Sequence, residues 1–393
     1  MKEGWQIKKL GDVCSIVNGG TPSTSVSTYW DGGVQWLTPK DMGGLTSKYV
    51  DKGERTISQE GVEHSSAKVL PTQSVIISSR APIGYVAINI VPMATNQGCK
   101  GIVPTKEIQS EYLYYFLIKS NDLLNRLGTG ATFKELSGGK LADITIPIPS
   151  LSEQQRIVSL LDAEFAKIDT LKANAERNLQ NAKDLFQAAL KKELESKEGW
   201  GRKKLNDLYD VRDGTHDSPK YQATGYPLVT SKNLRNGIVD MTNVKYISQH
   251  DYDKINERSK VDVGDVLFAM IGTIGNPSLV VEEPNYAIKN MALFKVPSNQ
   301  SGSLLRYVLS SNQVLDEMHN KAKGSNQPFV SLGYLRNFEI TIPQTLEEQN
   351  SLVCKLDTLD GRCKTLQANY EKTIVLCDDL KQALLRKAFN GEL

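Results

Sequence analysis

The chain has 393 residues, enough for two globular domains of ordinary size with a substantial core in each. A hydrophobic content of 39% and a charged content of 23% are typical of a folded soluble protein and exclude a disordered chain. The 47 basic and 45 acidic side chains leave a net charge of only +2, so composition alone does not indicate a nucleic-acid binder.

Neither a membrane span nor a disulfide framework is expected. No apolar run is long enough to cross a bilayer, and residues 1–10 carry lysines in place of the apolar stretch of a signal peptide. We therefore expect a cytoplasmic protein without membrane partners. In that reducing compartment the cysteines are predicted to be buried thiols. They are Cys14, Cys99, Cys354, Cys363 and Cys377.

The first half of the chain predicts a mixed domain of short strands and polar loops. The segment 18–23 reads Asn-Gly-Gly-Thr-Pro-Ser, and its hydroxyls at Thr21 and Ser23 fit either a phosphate or base contact or, slightly better, simple turn formation. Arg80 follows an apolar run and precedes Pro82, which predicts an outward position at a strand end. Asn96 and Gln97 belong to a short polar turn after a strand.

Side chains that present paired donors or acceptors to base edges are chiefly Arg, Lys, Asn and Gln, and loops on a rigid scaffold position them best. The alternative for each such residue is a solvated surface group. The candidates in the first half are Lys40, Arg80, Asn96, Gln97, Lys100 and Lys134.

Two long helices are predicted from apolar residues at three-and-four spacing without internal proline, one over about 152–195 and one at the end of the chain. Five successive heptads in each favour a coiled coil, with amphipathic helices lying on their own domains as the alternative. The predicted seam of the first helix is Leu161, Ile168, Leu171, Ala175, Ala182, Leu185 and Ala189. That of the second is Leu356, Leu359, Cys363, Leu366, Tyr370, Cys377, Leu380 and Leu384.

Polar residues on these helices have other expected roles. Asn178 and Thr373 share one heptad position within the seams and are expected to fix helix register. The Glu-Gln pairs Glu153-Gln154 and Glu348-Gln349 suit a first helical turn, so we expect them in folding or subunit docking.

The second half repeats the first at an offset of 195 residues. Glu-Gly-Trp at 3–5 recurs at 198–200, and the Glu-Gln pairs keep the same offset at the other end. Between them, 213–218 matches 18–23, and 228–233 matches 36–41. The repeat predicts an α+β chain of mixed domains at 1–150 and 198–345, each followed by a helix (151–197 and 346–393). A pseudo-two-fold relation between the halves would pair the helices antiparallel.

The repeat also supplies candidates in the second half. Lys232 shares the framework position of Lys40, which suits a phosphate contact, whereas Arg80 aligns with Ile271 and suits a base contact peculiar to the first half. His216 is interpreted as a polar loop histidine, because the spacing of the four histidines fits no metal site. The candidates are Thr215, His216, Lys220, Lys232, Asn233, Lys289, Asn290 and Gln327.

The ordered recurrence of these strings resembles the specificity subunits of type I restriction-modification systems. The resemblance covers essentially the whole chain. It rests on the Trp-x-x-x-Lys-Leu start of each half, the loop 18–23, the Gly-Thr-Gly-Ala-Thr-Phe-Lys-Glu-Leu stretch at 128–136, the Ile-Pro-x-Pro exit at 146–149 and the Leu-x-Glu-Gln helix start at 151–154. The second half departs from it at 324–329, which reads Gly-Ser-Asn-Gln-Pro-Phe.

The resemblance implies two target-recognition domains, each reading one half of a split site in double-stranded DNA. It implies helices that act as a ruler across the spacer and dock two methyltransferase subunits, through which restriction subunits join. No cofactor is expected in this chain; S-adenosylmethionine, ATP and Mg would serve the partners. The residues expected to dock partners or form the coiled coil are Glu153, Gln154, Leu161, Ile168, Leu171, Glu348, Gln349, Leu356, Leu366 and Leu380.

Catalytic alternatives lack their motifs. A DNA methyltransferase would need an Asn/Asp-Pro-Pro-aromatic string and a nucleotide-driven motor would need Gly-x-x-x-x-Gly-Lys-Ser/Thr, and the sequence contains neither. A nuclease with scattered acidic ligands and a structural coiled-coil adaptor remain as alternatives. We therefore expect a DNA-recognition subunit that is not an enzyme.

Overall fold

The computed structural model describes residues 4–130, 134–324 and 327–393. Parts of three sequence strings singled out above, at positions 3, 131–133, 325 and 326, lie outside the described residues. The chain divides into two compact units, Met1–Ala175 with Lys372–Leu393 and Glu176–Glu371.

Residues 4–150, here called the first head, form a mixed α/β domain. Its strands are β1 (Gln6–Lys9), β2 (Cys14–Asn18), β3 (Trp30–Leu37), β4 (Tyr49–Val50), β5 (Arg55–Ile57), β6 (Val75–Ser79), β7 (Ile83–Asn89), β8 (Met93–Thr95), β9 (Cys99–Pro104) and β10 (Thr145–Ile148). Its α-helices are α1 (Leu10–Val13), α2 (Pro39–Gly43), α3 (Gln59–Glu63), α4 (Ser110–Lys119), α5 (Asn121–Leu127) and α6 (Gly138–Ala142).

The central sheet of the first head has the strand order β2-β9-β6-β7-β4. Strand β6 reads Val-Ile-Ile-Ser-Ser and is buried along its whole length, which suits an interior strand with both faces covered. A smaller sheet has the order β5-β3-β8. Strands β1 and β10 pair antiparallel, with Gln6 opposite Ile148, so the start and the end of the head lie side by side where helix α7 (Leu151–Glu193) begins.

Residues 198–345, here called the second head, form a mixed domain of the same kind. The strands are β11 (Trp200–Lys204), β12 (Asp210–Asp213), β13 (Tyr226–Val229), β14 (Leu234–Arg235), β15 (Ile238–Val239), β16 (Lys245–Ile247), β17 (Val266–Ala269), β18 (Gly275–Leu279), β19 (Ala287–Ile288), β20 (Met291–Lys295) and β21 (Glu339–Pro343). The α-helices are α8 (Leu205–Leu208), α9 (Gln249–Ser259), α10 (Gly302–Ser310), α11 (Asn312–Lys321) and α12 (Leu332–Asn337), followed by α13 (Leu346–Asn390).

The strand orders of the second head confirm the internal repeat. The order β12-β20-β17-β18 corresponds to β2-β9-β6-β7, and β16-β13-β19 corresponds to β5-β3-β8, including the parallel pairing of the last two strands in each small sheet. Strands β11 and β21 pair antiparallel as β1 and β10 do. The two halves therefore share one framework.

The long helices pair antiparallel, as the fold prediction requires. In the first unit Asp169 contacts Lys381 and Lys172 contacts Asp378. The residue number on α13 therefore falls as the residue number on α7 rises. In the second unit Glu193, at the end of α7, contacts Lys355 near the start of α13. The ends of both helices also pack into the heads: Phe389 lies 4.9 Å from Tyr112, ring centre to ring centre.

Only part of the predicted seam is buried. The buried positions of the predicted seam lie seven residues apart, except that Tyr370 between Cys363 and Cys377 is only half-buried: Leu161, Ile168, Ala175 and Ala182 in α7, and Leu356, Cys363 and Cys377 in α13. The prediction was wrong for four leucines of the predicted seams, which point to solvent. Their exposed fractions are 51% for Leu171, 56% for Leu185, 39% for Leu366 and 47% for Leu380. The buried stripe thus combines leucine and isoleucine with alanines and cysteines. Asn178 and Thr373 are half-buried.

The thiol prediction holds for four of the five cysteines. Cys14, Cys99, Cys363 and Cys377 are buried and unpaired, and burial raises the pKa of the Cys14 and Cys99 thiols to about 12. Cys354 contradicts the prediction, because it lies exposed on α13. Across the described residues, the helices are too short or too polar to traverse a bilayer.

Candidate nucleic-acid interface

Most sequence candidates of the first head meet at one edge of the central sheet. Strand β2 ends here at Asn18, β6 ends at Ser79 and β9 begins at Cys99, because β9 runs antiparallel to both neighbours. The Ser79 amide donates to the carbonyl of Gly98 (2.7 Å), which closes the turn 96–98 against the end of β6. This edge, called the first reading edge, carries the loop 18–23, the turn 96–98 and Arg80.

The loop after β2 lies directly on that turn. A Cβ atom added to Gly19 would come within 1.9 Å of the Asn96 carbonyl oxygen, so only glycine permits the approach. The Thr21 hydroxyl donates to Gln97 Oε1, which joins two of the candidates predicted from sequence. Ser23 is exposed and its hydroxyl lies 2.8 Å from that of Ser25, a local turn contact.

The other cations of the first reading edge surround one carboxylate. Glu135 Oε1 lies 3.6 Å from Lys100 Nζ, and Glu135 Oε2 lies 3.9 Å from an Arg80 guanidinium nitrogen. The Lys100 side chain is only 8% exposed, against 36% for Arg80, so Arg80 is the cation that remains accessible to a ligand. Lys134 is exposed beside them. Glu135 was missed in the sequence because a lone acidic residue in a polar stretch gives no signal.

Lys40 lies apart from these residues, at the start of helix α2. Thr38 caps that helix reciprocally with Asp41, and Lys40 pairs with Glu54 at 2.8 Å. Its side chain is 80% exposed, which leaves the ammonium group free to exchange Glu54 for a phosphate.

The second head has the same edge, called the second reading edge. Strand β12 ends at Asp213, β17 ends at Ala269 and β20 begins at Met291. Gly214 repeats the close approach of Gly19, since its added Cβ would lie 2.5 Å from the Ile288 carbonyl oxygen. The Lys289 amide donates to Val229 (2.9 Å) as the Asn96 amide donates to Leu37 (2.9 Å). Lys289 and Asn290 therefore occupy the place of the turn 96–98.

Different side chains stand on this shared backbone. His216 Nδ1 lies 2.9 Å from Asn290 Oδ1 and its Nε2 lies 2.9 Å from Asp213 Oδ2. The other oxygen of Asp213 accepts from Arg258. The buried Lys289 donates to the Ser218 hydroxyl (2.6 Å). Arg258 was missed in the sequence because it lies far from the string 213–218, which contains Asp213 and Ser218.

In the second reading edge, apolar residues take the places of Arg80, Lys100 and Glu135. The Leu136 amide donates to Ser79 and the Val330 amide donates to Met270, which places Ile271 where Arg80 lies and Phe329 where Glu135 lies. Ala292, opposite Asp213, replaces Lys100, opposite Asn18. The framework is thus constant while the exposed chemistry changes.

The remaining candidates of the second head are spread around a cleft of about 510 Å³. The cleft is lined by Lys232, Lys289 and Asn290 together with Arg235 and Lys245, two cations that sequence reasoning missed because they belong to no repeated string. Lys220 and Gln327 are exposed on neighbouring loops. Thr215 is half-buried and its hydroxyl accepts from the Asp217 amide (3.2 Å), which is turn chemistry.

Asn233 performs a structural task at that cleft. It is buried; its Oδ1 accepts from the Thr230 amide (3.0 Å) and its Nδ2 donates to the carbonyls of Asp240 (3.0 Å) and Asn243 (3.1 Å). These bonds occupy both ends of its amide. The prediction of a direct DNA contact by Asn233 therefore has no support in the geometry.

The glutamines predicted for folding or docking are both fully buried. Gln154 accepts from the Gln109 amide (2.9 Å) and donates to the carbonyls of Glu107 (2.9 Å) and Pro149 (3.0 Å). Gln349 accepts from the Ser301 amide (2.9 Å) in the same way. Their burial and main-chain hydrogen bonds fit the folding alternative and leave neither side chain accessible to a partner.

The adjacent glutamates lie in the first helical turns as expected. Glu153 pairs with Arg156 (2.7 Å), and Glu348 accepts from the Thr345 hydroxyl (2.8 Å) while its amide donates back to that hydroxyl (3.3 Å). Both contacts stabilise helix starts. Within the described parts of the chain, no cluster of three or more His, Cys, Asp or Glu side chains could hold a metal ion.

Comparisons with known proteins agree with this two-fold layout. The family described as "Type I restriction modification DNA specificity domain" matches residues 2–180 and again 197–374. The specificity subunit of the type I restriction enzyme MjaIX of Methanocaldococcus jannaschii is 30% identical, over 99% of this chain and 93% of the relative.

Solved structures share the fold over the whole chain. A chain from a structure on complex assembly and conformational transition of the type I R-M system superposes with a TM-score of 0.81 at 20% identity, covering 100% of this chain and 99% of the other. The HsdS subunit from Thermoanaerobacter tengcongensis gives a TM-score of 0.60 at 19% identity, covering 100% and 98%. The chain therefore belongs to the family of type I restriction-modification DNA specificity subunits, the DNA-recognising and non-catalytic components of those systems.

Proposed function

We propose that this specificity subunit reads a split DNA sequence, with each head recognising one half through its reading edge. The observation that carries the proposal is the difference between the two edges. Their backbones correspond, but Arg80 and Glu135 of the first head give way to Ile271 and Phe329 in the second. A shared framework with different base-facing groups suits two different half-sites.

The long helices are proposed to set the spacer between the half-sites. Helix α7 has 43 residues and α13 has 45, and neither contains a proline. An α-helix rises by about 1.5 Å per residue and keeps its length, so it makes a dependable ruler.

The helices are also proposed to dock two methyltransferase subunits. The exposed leucines Leu171 and Leu380 of the first unit and Leu185 and Leu366 of the second are related by the repeat, so each unit offers an equivalent apolar surface. Such exposed apolar groups are typical of interaction sites. Restriction subunits would join through the methyltransferase subunits. S-adenosylmethionine, ATP and Mg are proposed to serve these partners.

Docking is tested by placing charge on this surface. The double change Leu171→Asp with Leu380→Asp should lower the copurifying methyltransferase subunit from two copies to about one, because a partner on this surface would have to bury two carboxylates while the equivalent surface of the second unit is unchanged. Val281→Asp, in an equally exposed apolar position (61%) on the second head, is the matched control. Unchanged copurification of the double variant would contradict the docking surface.

DNA reading is tested by coexpression with the modification subunit from the same operon and mapping of methylated adenines by single-molecule sequencing. A motif of two short specific halves around a fixed spacer is expected. Exchange of residues 1–150 for those of a relative should change one half of the motif and leave the other. If a stable complex forms and both halves change together, the assignment of one half-site to each head is wrong.

A further inference from the structure

His216 is held at both ring nitrogens on the second reading edge. Its Nε2 lies 2.9 Å from an Asp213 carboxylate oxygen, and its Nδ1 lies 2.9 Å from the Asn290 side-chain amide. Asp213 is only 8% exposed and its second oxygen accepts from Arg258. The imidazole is therefore clamped between a fixed anion and an amide.

The contact with Asp213 determines whether Nδ1 of His216 is a hydrogen-bond donor or acceptor. A carboxylate paired with a guanidinium only accepts hydrogen bonds, so His216 Nε2 carries a hydrogen and donates it to Asp213 in either charge state. In neutral imidazole the other nitrogen is then an acceptor, and in imidazolium it is a donor. The charge of His216 thus decides the polarity of the contact with Asn290.

The side-chain amide of Asn290 must turn the complementary atom, a donor or an acceptor, towards Nδ1 of His216. When Nδ1 accepts, the amide Nδ2 of Asn290 donates to it and Oδ1 is left for a ligand. When Nδ1 donates, Oδ1 accepts and Nδ2 is left for a ligand; this second orientation of the amide matches the 2.9 Å between Nδ1 and Oδ1. The backbone of Asn290 is fixed in the left-handed region (φ 56°), so the choice is made by turning the amide and not by moving the chain.

We propose that His216 is a positioning residue that selects which end of the Asn290 amide is offered to a DNA base. This rests on the proposed function of the second reading edge. With His216 neutral, the free Oδ1 favours the amino group of adenine or cytosine; with His216 protonated, the free Nδ2 favours the acceptors of guanine or thymine in the major groove.

The surroundings of Asn290 fit a base contact. It lines the cleft of about 510 Å³ together with Lys232, Arg235 and Lys245, exposed cations of the kind that bind phosphates. A phosphate held there brings the neighbouring base edges towards Asn290. The first head has a counterpart without a titrating group, since the Thr21 hydroxyl donates to Gln97 Oε1 at the matching place.

Several charged groups lie around His216, yet imidazole is the side chain that ordinarily changes charge between pH 5 and pH 8. Asp213 faces it directly, and a hollow of about 450 Å³ on the same side is lined in part by acidic and basic groups. The charged groups near His216 are Asp213, Asp217, Asp251, Lys254, Arg258 and Lys289.

The test selects bound sequences from a pool of duplexes with randomised half-sites. The subunit assembled with its methyltransferase subunits is used at about pH 6 and about pH 8. At one position of the half-site read by the second head, the ratio of adenine and cytosine to guanine and thymine should rise about fivefold at the higher pH, the change that one hydrogen bond supports. The half-site of the first head should not change.

Two variants sharpen the result. His216→Ala should abolish the pH effect, and His216→Lys, a permanent donor, should keep the low-pH preference at both pH values. Thr21→Ala is the matched control and should alter only the other half-site, equally at both pH values. A split motif whose base preferences are the same at both pH values would overturn the role of His216 alone. Failure to enrich any split motif would overturn the proposed function and this role with it.

Discussion

The ammonium group of Lys100 lies 3.6 Å from the carboxylate of Glu135 at the end of the central sheet of the first head. Lys100 is almost completely buried, so Glu135 is required to compensate its charge, whereas Arg80 shares the carboxylate from a half-exposed position at 3.9 Å. The arrangement holds Arg80 loosely, beside a framework that does not depend on it. This makes Arg80 suitable for reading a base and Lys100 suitable for supporting the edge.

Arg80 and Lys40 are expected to affect DNA binding differently. Arg80→Ala should reduce binding of the assembled complex to its own site by about 1–3 kcal/mol and leave binding to scrambled DNA nearly unchanged, because base contacts carry specificity. Lys40→Ala should weaken both DNAs by a similar factor and lower the salt dependence, because a phosphate contact is blind to sequence. The affinity of each variant complex for the specific and the scrambled duplex is measured by titration at two salt concentrations. Equal losses on the two duplexes for Arg80→Ala would assign Arg80 to the backbone.

The close approach at Gly19 is expected to be necessary for DNA binding. In Gly19→Ala the new Cβ would lie 1.9 Å from the Asn96 carbonyl oxygen, so the loop must move away and separate Thr21 from Gln97. We expect a loss of about 1–3 kcal/mol in the free energy of unfolding and about tenfold weaker binding to the target site. Gly33→Ala is the control, since nothing lies within 4 Å of its added Cβ. Equal DNA affinity for the two variants would show that the loop is not part of the interface.

Gln154 is expected to be essential for the junction between the first head and α7. Gln154→Ala removes three hydrogen bonds to main-chain groups of Glu107, Gln109 and Pro149, of which the contact with Pro149 is buried and the other two are half-buried. The free energy of unfolding should fall by about 2–4 kcal/mol in urea denaturation. The exposed neighbour Gln155, whose amide donates to the Ser159 hydroxyl (3.3 Å), is the control and should cost less than about 0.5 kcal/mol when changed to Ala.

The contact between the helices in the second unit should contribute to acid sensitivity. The hydrogen bond from Lys355, with a further contribution from Lys197, lowers the pKa of the Glu193 carboxyl below its ordinary 4.5. Its stabilising contribution is therefore complete above about pH 4.5 and is lost as the pH falls through the lower pKa of the folded state. Glu193→Gln should lose less stability than the unchanged chain between about pH 5 and pH 3.

The same contact can be checked by combining changes. Lys355→Met removes the donor, and adding Glu193→Gln to it should have little further effect on the slope of stability against pH, because the two groups act on one contact. If Glu193→Gln alone leaves the slope of the unfolding free energy against pH unchanged, other carboxylates determine the loss of stability in this pH range.

The sequence determined the architecture because its signals are local and repeated. The offset of 195 residues between Glu153-Gln154 and Glu348-Gln349 predicted two equivalent halves with antiparallel helices, and the proline-free heptads predicted that both helices are long. The glycines at 19 and 214 could be aligned from the strings alone. Their reason, an approach to the Asn96 or Ile288 carbonyl, appears only in the fold.

Burial along the helices was decided by tertiary structure. Hydrophobicity does not distinguish Ile168 from Leu171, and the heptad pattern places both in the predicted seam, yet Ile168 is 4% exposed and Leu171 is 51% exposed. The stripe that contains Ile168 is buried, and the leucines beside it remain exposed. Which apolar residues face a partner helix depends on the partner.

The chemistry of the reading edges also depended on the fold. Arg80 and Gln97 could be nominated from residue type, but Glu135 and Arg258 carried no local signal and are brought to their edges by strands and helices distant in sequence. Asn233 shows the converse, since a polar loop residue proved to be buried and bonded at both ends of its amide. The sequence shows which hydrogen-bond donors and acceptors the chain contains. Which of them pair depends on the distances between their atoms, and those distances are determined only when the sheets assemble.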